Sequence, residues 1–309
     1  MKRIAIRIVS AVLLIVVLLG VAVSIAGMVY RPQAAIPSGF AGSYVDVAGI
    51  PLRVVQEGSG RDILMIHGSP GILEDFDAQA RDLRTSFRVT RYDRPGQGFS
   101  GDTGNYSIRD NARVALALIE KLGLTNTIVV GHSYGGATAL ALGEMKSPRV
   151  AALVILDSAA YTSIRAVNPL FRFLRLPAFG VGMARMVRGT TEGKVRESIP
   201  AEFKAGAPPE NFLSVRAPIY SEPKVVHAMA NEHWDSTAEL ALLSPHYAEI
   251  DVPVYIVAQR DDAARSAQAE RLQREVAHGN LTLVSPSGHY VQVEQPAAVT
   301  EVIQRAAGS

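Results

Sequence analysis

The stretch Thr127-Ile128-Val129-Val130-Gly131-His132-Ser133-Tyr134-Gly135-Gly136 joins an apolar run to a glycine-rich turn, and Ala137-Thr138-Ala139-Leu140-Ala141-Leu142 follows it. The apolar run reads as a buried strand and the Ala/Leu-rich run as a helix. Between them Gly131-x-Ser133-x-Gly135 puts a serine on a tight turn. Side chains two positions to either side would collide with the neighbouring strand and helix, so glycine is required there. Such a turn exposes the hydroxyl, and the helix amino terminus behind it favours developing negative charge. A bare Gly-x-Ser-x-Gly also occurs in ordinary turns. The strand before it and the helix after it make Ser133 a candidate nucleophile.

The same alternation extends in both directions. Upstream, Tyr44–Val47 and Leu52–Gln56 read as a hairpin around Gly49, Ile63–Ile66 as a buried strand ending at His67-Gly68, 73–83 as a helix and Val89–Tyr92 as a strand. Ser107 with Asp110 three positions on opens a helix bearing Ala112, Leu116, Ile119 and Leu122. Downstream, strands are expected at Ala152–Leu156, Val254–Val257 and Leu281–Val284, with helices near 268–276 and from Ala297. This order predicts an α/β fold with a mostly parallel twisted sheet and helices on both faces. The alternation lapses between Ser158 and Ile250, where prolines break helical fragments. A structureless loop of that length is implausible, so a helical insertion is expected. The expected organisation is a core of 43–160 and 249–309 with an insertion at 161–248.

Residues 1–42 differ in kind. From Ile8 to Tyr30 there is no charged residue, and about 20 apolar residues span a bilayer core as a helix. A cleaved signal segment, with Ala22-Val23-Ser24 as its processing site, has an apolar region of about 7 to 15 residues, shorter than this one. A buried core helix seldom stays charge-free so long or starts behind a basic cluster. Residues 1–30 are therefore expected to anchor the chain in a membrane through 8–30, with 31–42 a Pro/Gly-rich linker. Lys2, Arg3 and Arg7 place the amino terminus on the cytoplasmic side and the bulk of the chain outside. Cleavage would instead release the chain as a secreted protein. Residues 8–309 hold 28 basic and 29 acidic residues, so no basic stripe argues for nucleic acid. The absence of cysteine excludes disulfides, thiolate metal sites and cysteine nucleophiles.

A serine hydroxyl needs a base, and the base an orienting acid. His289, in Ser287-Gly288-His289 after the last core strand, is the expected base. His132 and His67 are expected to pack rather than react, and no histidine spacing suggests a metal site. Asp157, Asp261 and Asp262 all satisfy the order nucleophile, acid, histidine. Asp261 is preferred, because the turn directly after the penultimate strand usually lies beside the histidine loop. Acyl transfer also needs oxyanion donors, and the backbone amides of Tyr134 and of Ser69 in His67-Gly68-Ser69-Pro70-Gly71 are expected to supply them.

With Asp93-Arg94-Pro95-Gly96-Gln97-Gly98-Phe99-Ser100 and with Glu294 and Pro296 after Gly288-His289, these segments resemble the α/β-hydrolase superfamily from Tyr44 to Arg305. Ala258 departs from the glycine often found before the acid. The resemblance implies that 161–248 is a cap, that Arg94 and Ser100 are structural, and that neither cofactor nor metal is needed. It implies a serine hydrolase, because the dehalogenase and epoxide hydrolase branches carry aspartate where Ser133 stands. A carboxylic ester hydrolase is the preferred reading, with a small or lipid-like ester as substrate. The alternatives are an aminopeptidase similar to proline iminopeptidases, which would need an acid among Glu202, Glu210, Glu222 and Glu232 to hold the substrate ammonium, a carbon–carbon bond hydrolase, and a ligand-binding receptor with little or no turnover. In the insertion, Leu170, Phe171, Phe173, Leu174, Leu176 and Phe179 with Arg172 and Arg175 could cover an acyl pocket or touch a membrane. Phe171 and Trp234 are the candidate pocket residues.

Overall fold

The computed structural model describes residues 2–32, 35–162 and 167–308; Met1, Gln33, Ala34, 163–166 and Ser309, which fall in the expected anchor, linker, insertion and final core segment, lie outside the described residues. The strands are β1 (Ser43–Val47), β2 (Ile50–Glu57), β3 (Arg61–Ile66), β4 (Phe87–Tyr92), β5 (Thr127–His132), β6 (Val150–Leu156), β7 (Val254–Gln259) and β8 (Gly279–Val284). They form one sheet in the order β1-β2-β4-β3-β5-β6-β7-β8. β1 pairs antiparallel with β2, β2 antiparallel with β4, and all later neighbours run parallel. The hairpin turns at Ala48 and Gly49, both with positive φ (53° and 84°), a backbone twist that suits a two-residue hairpin.

Every residue of β5 is buried, as a strand covered on both faces must be. The period of two sorts its neighbours into two cores. Leu64, Ile66, Val129, Leu153, Ile155 and Ile256 pack with Leu118 and Ile119 of α3 (Ile108–Lys121), Leu140 of α4 (Tyr134–Glu144) and Leu272 of α10 (Ala263–Glu275). Ile63, Met65, Ile128, Val130, Val154 and Val257 pack on the opposite face with Ala80 of α2 (Asp77–Leu83) and with Val299, Val302 and Ile303 of α12 (Pro296–Ala307). Each such aliphatic side chain contributes roughly 1.5–3 kcal/mol relative to exposure. Ser107 starts α3 as the sequence suggests, its Oγ accepting from the Asp110 amide at 3.0 Å.

Between β6 and β7 the chain forms α5 (Phe171–Leu174), α6 (Phe179–Met186), α7 (Arg188–Ser198), α8 (Phe212–Tyr220) and α9 (Pro223–Leu243). α11 (Val291–Glu294) follows β8. The first helix, α1 (Lys2–Met28), is apolar and long enough to cross a membrane, and most of its length lies free of the rest of the chain.

Candidate active site

Ser133 stands between β5 and α4 at φ 53° and ψ −118°, a strained conformation of the kind found where a side chain must be presented. The flanking glycines make it possible. A Cβ on Gly131 would strike the Gly135 carbonyl, and one on Gly135 would strike the carbonyls of Ile66 and His67. Ser158 Oγ donates to the Ser133 carbonyl at 2.7 Å, fastening the turn from the β6 side.

His289 lies between β8 and α11, with its Nε2 3.0 Å from Ser133 Oγ. Its backbone is held on both sides: its amide donates to the Glu202 carbonyl at 2.7 Å, and its carbonyl lies 2.9 Å from His132 Nε2. Its Nδ1 is 2.6 Å from Oδ2 of Asp157. This corrects the preference for Asp261. The register explains why. Leu156 pairs with His132, so the next residue on each strand, Asp157 and Ser133, emerge side by side. β7 and β8 run on to pair Gln259 with Val284, which carries Asp261 to the outer side of the histidine loop. There its carboxylate accepts from Ser285 Oγ at 2.9 Å and from the Ser287 amide at 3.0 Å. Those two donors, the amide first, hold it below the usual carboxylate range. Asp262 is the amino-terminal cap of α10, accepting from the amides of Ala264 and Arg265.

Asp157 is fully enclosed and has two further partners that spacing could not show: Gln259 Nε2 at 3.0 Å and Arg265 Nη1 at 3.0 Å. Burial by itself would raise its pKa. The His289 hydrogen bond and charge, with Arg265 and Gln259, outweigh burial and hold the carboxyl below its ordinary value.

His132 and His67 are both buried. His132 sits behind His289 with ring centroids 4.8 Å apart, and burial pushes its pKa down to about 3. His67 accepts from the Arg94 amide through Nε2 at 2.9 Å and places Nδ1 2.8 Å from the Gly68 carbonyl. That arrangement is a neutral tautomer, consistent with a pKa depressed by burial. Arg94, also buried, donates to the carbonyls of His67 and Gly68 at 3.0 and 2.8 Å and pairs with Glu232. The loop that presents Ser69 is thus braced from beneath. Gly68 fits closely against the nucleophile: a Cβ there would lie 3.1 Å from that of Ser133. Tyr134 is the first residue of α4, so its amide has no intrahelical acceptor.

Ser133, His289, Ser69 and Tyr134 share a cavity of about 530 Å³ with Phe171, Glu202 and Arg265. Trp234 is not among the lining residues; its ring lies under the Arg175 guanidinium at 5.8 Å. Of the four acids considered for an ammonium site, only Glu202 lines the cavity. Glu232 is spent on Arg94, Glu222 on Arg188 and Tyr30, and Glu210 is exposed.

A serine on a strand-turn-helix joined to a histidine and a buried aspartate stands here on a mostly parallel sheet. The chain belongs to the alpha/beta hydrolase family, whose sequence model matches residues 63–302. It is 26% identical to pig bifunctional epoxide hydrolase 2 over 56% of its length, which is only 32% of that protein. It is 25% identical to an esterase of Mycobacterium tuberculosis over 80% of this chain and 83% of that one. It is 28% identical to the 2-hydroxy-6-oxononadienedioate/2-hydroxy-6-oxononatrienedioate hydrolase of Klebsiella pneumoniae over 89% of this chain and 98% of that one.

Proposed function

We propose that this protein is a serine hydrolase of carboxylic esters in which Ser133, His289 and Asp157 act together. The observation that carries this reading is the unbroken chain from Ser133 Oγ through the imidazole to the Asp157 carboxylate, with links of 3.0 and 2.6 Å. Ser133 Oγ attacks the ester carbonyl while His289 Nε2 takes its proton. The imidazolium returns that proton to the leaving alcohol, and a water then releases the acyl group by the same route. Asp157 keeps Nδ1 protonated and stabilises the imidazolium. The amides of Tyr134 and Ser69 receive the oxyanion. The activated nucleophile and the esterase relative favour ester chemistry. The similarity to a carbon–carbon bond hydrolase over nearly that protein's whole length favours a second reading with the same nucleophile. An aminopeptidase would have only Glu202 to hold a substrate ammonium.

In this reading residues 161–248 form a cap over the cavity, α1 anchors the protein, 31–42 links the two, and the hydrolase core faces the extracytoplasmic side. The test is turnover of graded p-nitrophenyl esters and of a vinylogous 1,5-diketone. Ser133→Ala should lower kcat on the ester series by at least about 10⁴-fold. Diketone cleavage without ester turnover would replace the ester reading. A folded protein that turns over neither of these nor an aminoacyl anilide would favour the binding receptor.

A further inference from the structure

The end of α1 is not free. Gly20, Val23, Ser24, Gly27 and Tyr30, spaced as one face of a helix, are half-buried, whereas the first four turns are exposed. That face crosses α6 at backbone contact: a Cβ on Gly27 would strike the Ala178 carbonyl, and one on Gly182 would strike the Val23 carbonyl. Small residues at a crossing let two helices approach this closely. Arg185 Nη1 donates to the Ala26 carbonyl at 3.2 Å, and Tyr30 Oη to Glu222 at 3.0 Å.

This crossing sets a depth. From Ile8 to Met28 a helix rising about 1.5 Å per residue is about 30 Å long, which is the thickness of a bilayer's hydrocarbon core. Arg7 and Arg31 bracket that stretch, so all of it is needed to span. A helix seated against its last two turns then lies at the outer boundary between acyl chains and headgroups. The surface around α6 suits that place. Leu170, Phe173, Leu176, Met186 and Val187 are exposed, at 44, 49, 45, 69 and 40%. Residues 168–191 carry four arginines and no acidic residue; Arg175 and Arg188 pair with Asp235 and Glu222, and Arg172 and Arg185 leave the segment basic, as in an interfacial helix. α5 is a single turn thick: Phe171 lines the catalytic cavity and Phe173, two residues on, faces out.

We infer that the α5–α6 surface is seated at the outer boundary between acyl chains and headgroups beside α1, so that the catalytic cavity takes its substrate, a long-chain acyl ester, from the lipid phase. This rests on the reading of α1 as an anchor and of the cavity as an ester site. Continuity with α1 makes the bilayer the occupant of this surface.

The chain has no cysteine, so single introduced thiols report position without background. Full-length Val12→Cys, Phe173→Cys and Arg81→Cys carry an environment-sensitive fluorophore in phosphatidylcholine/phosphatidylglycerol vesicles. Blue-shifted emission, quenched by spin-labelled lipid, is expected at positions 12 and 173 and not at 81. A lipid signal at 12 with a water signal at 173 overturns the inference and leaves the anchor standing. A water signal at 12 removes the anchor and the inference together. Shielding at 173 that appears only at high protein-to-lipid ratio makes the surface a contact between copies and also overturns it. In a second arm, Phe173→Glu with Leu176→Glu should lower turnover of a vesicle-dissolved long-chain ester about tenfold while leaving soluble p-nitrophenyl acetate unchanged. Equal effects on both substrates, or none on either, overturn the lipid route, whatever the labels report.

Discussion

The loop after β6 begins with Asp157 and the loop after β7 carries Asp261 as its second residue, and both carboxylates end on the same segment, residues 285–289. Asp157 takes the imidazole of His289, whereas Asp261 takes the hydroxyl of Ser285 and the amide of Ser287. One holds a side chain in line with the nucleophile and the other holds the backbone that carries it. The difference is a matter of register. A strand that stops level with the nucleophile delivers its acid to the base, and a strand that runs two residues further delivers it to the loop behind. Burial follows the same division. Asp157 is enclosed among Gln259, Arg265 and His289, while Asp261 lies in solvent. The same bond to a carboxylate is worth more in the first setting than in the second.

The sharpest way to break this comparison is to neutralise each acid in turn. Asp157→Asn should lower kcat on a cleaved ester by about 10³–10⁴-fold, since the wrong imidazole tautomer would then be favoured. The same substitution at Asp261 causing the larger loss would reverse the assignment. Next in size is Arg265→Met, which leaves Asp157 with Gln259 and His289 alone. A loss of about tenfold in kcat with KM little changed is expected for a group that positions the acid rather than touching substrate. Asp261→Asn should cost less than about fivefold in kcat, and a shift of the His289 ring signals in the magnetic resonance spectrum would locate that cost in loop placement.

The smallest effect concerns pH. Asp157 has a folded-state pKa below its ordinary value of 3.8, so on acidification the unfolded chain takes up its proton first. Its contribution to stability is therefore complete above the ordinary value and is lost as pH falls through the lower, folded one. The stability difference between the wild type and Asp157→Asn should narrow as pH falls below about 4, and a difference unchanged down to about pH 2 would mean that the acid is not held in this way.

A second contrast, between the sheet and the helices inserted after β6, shows how far each was legible. Strands such as Ile63–Ile66 and Val129–Val130 announce themselves by apolar runs between turns, and Gly131 and Gly135 around Ser133 declare the tight turn because only glycine fits there. His289 followed from its place after the last core strand. In the insertion, prolines and mixed composition left only its helical character readable. There Phe171 and Phe173, two residues apart in one short helix, point to the cavity and to the outside. Trp234 was an attractive pocket residue by type alone, yet α9 turns it to Arg175 instead.

The sequence by itself determined the α/β alternation, the tight turn at Ser133, the loops of Ser69 and His289 and the apolar helix at the amino terminus, because each depends on local stereochemistry or on a run of like residues. Tertiary structure alone decided that Asp157 and not Asp261 meets His289, that Gln259 and Arg265 secure it, and that Gly27 of the first helix meets Gly182 of the insertion. Those are meetings between residues far apart in the chain. They are set by strand register and helix crossing, which no spacing along the sequence records.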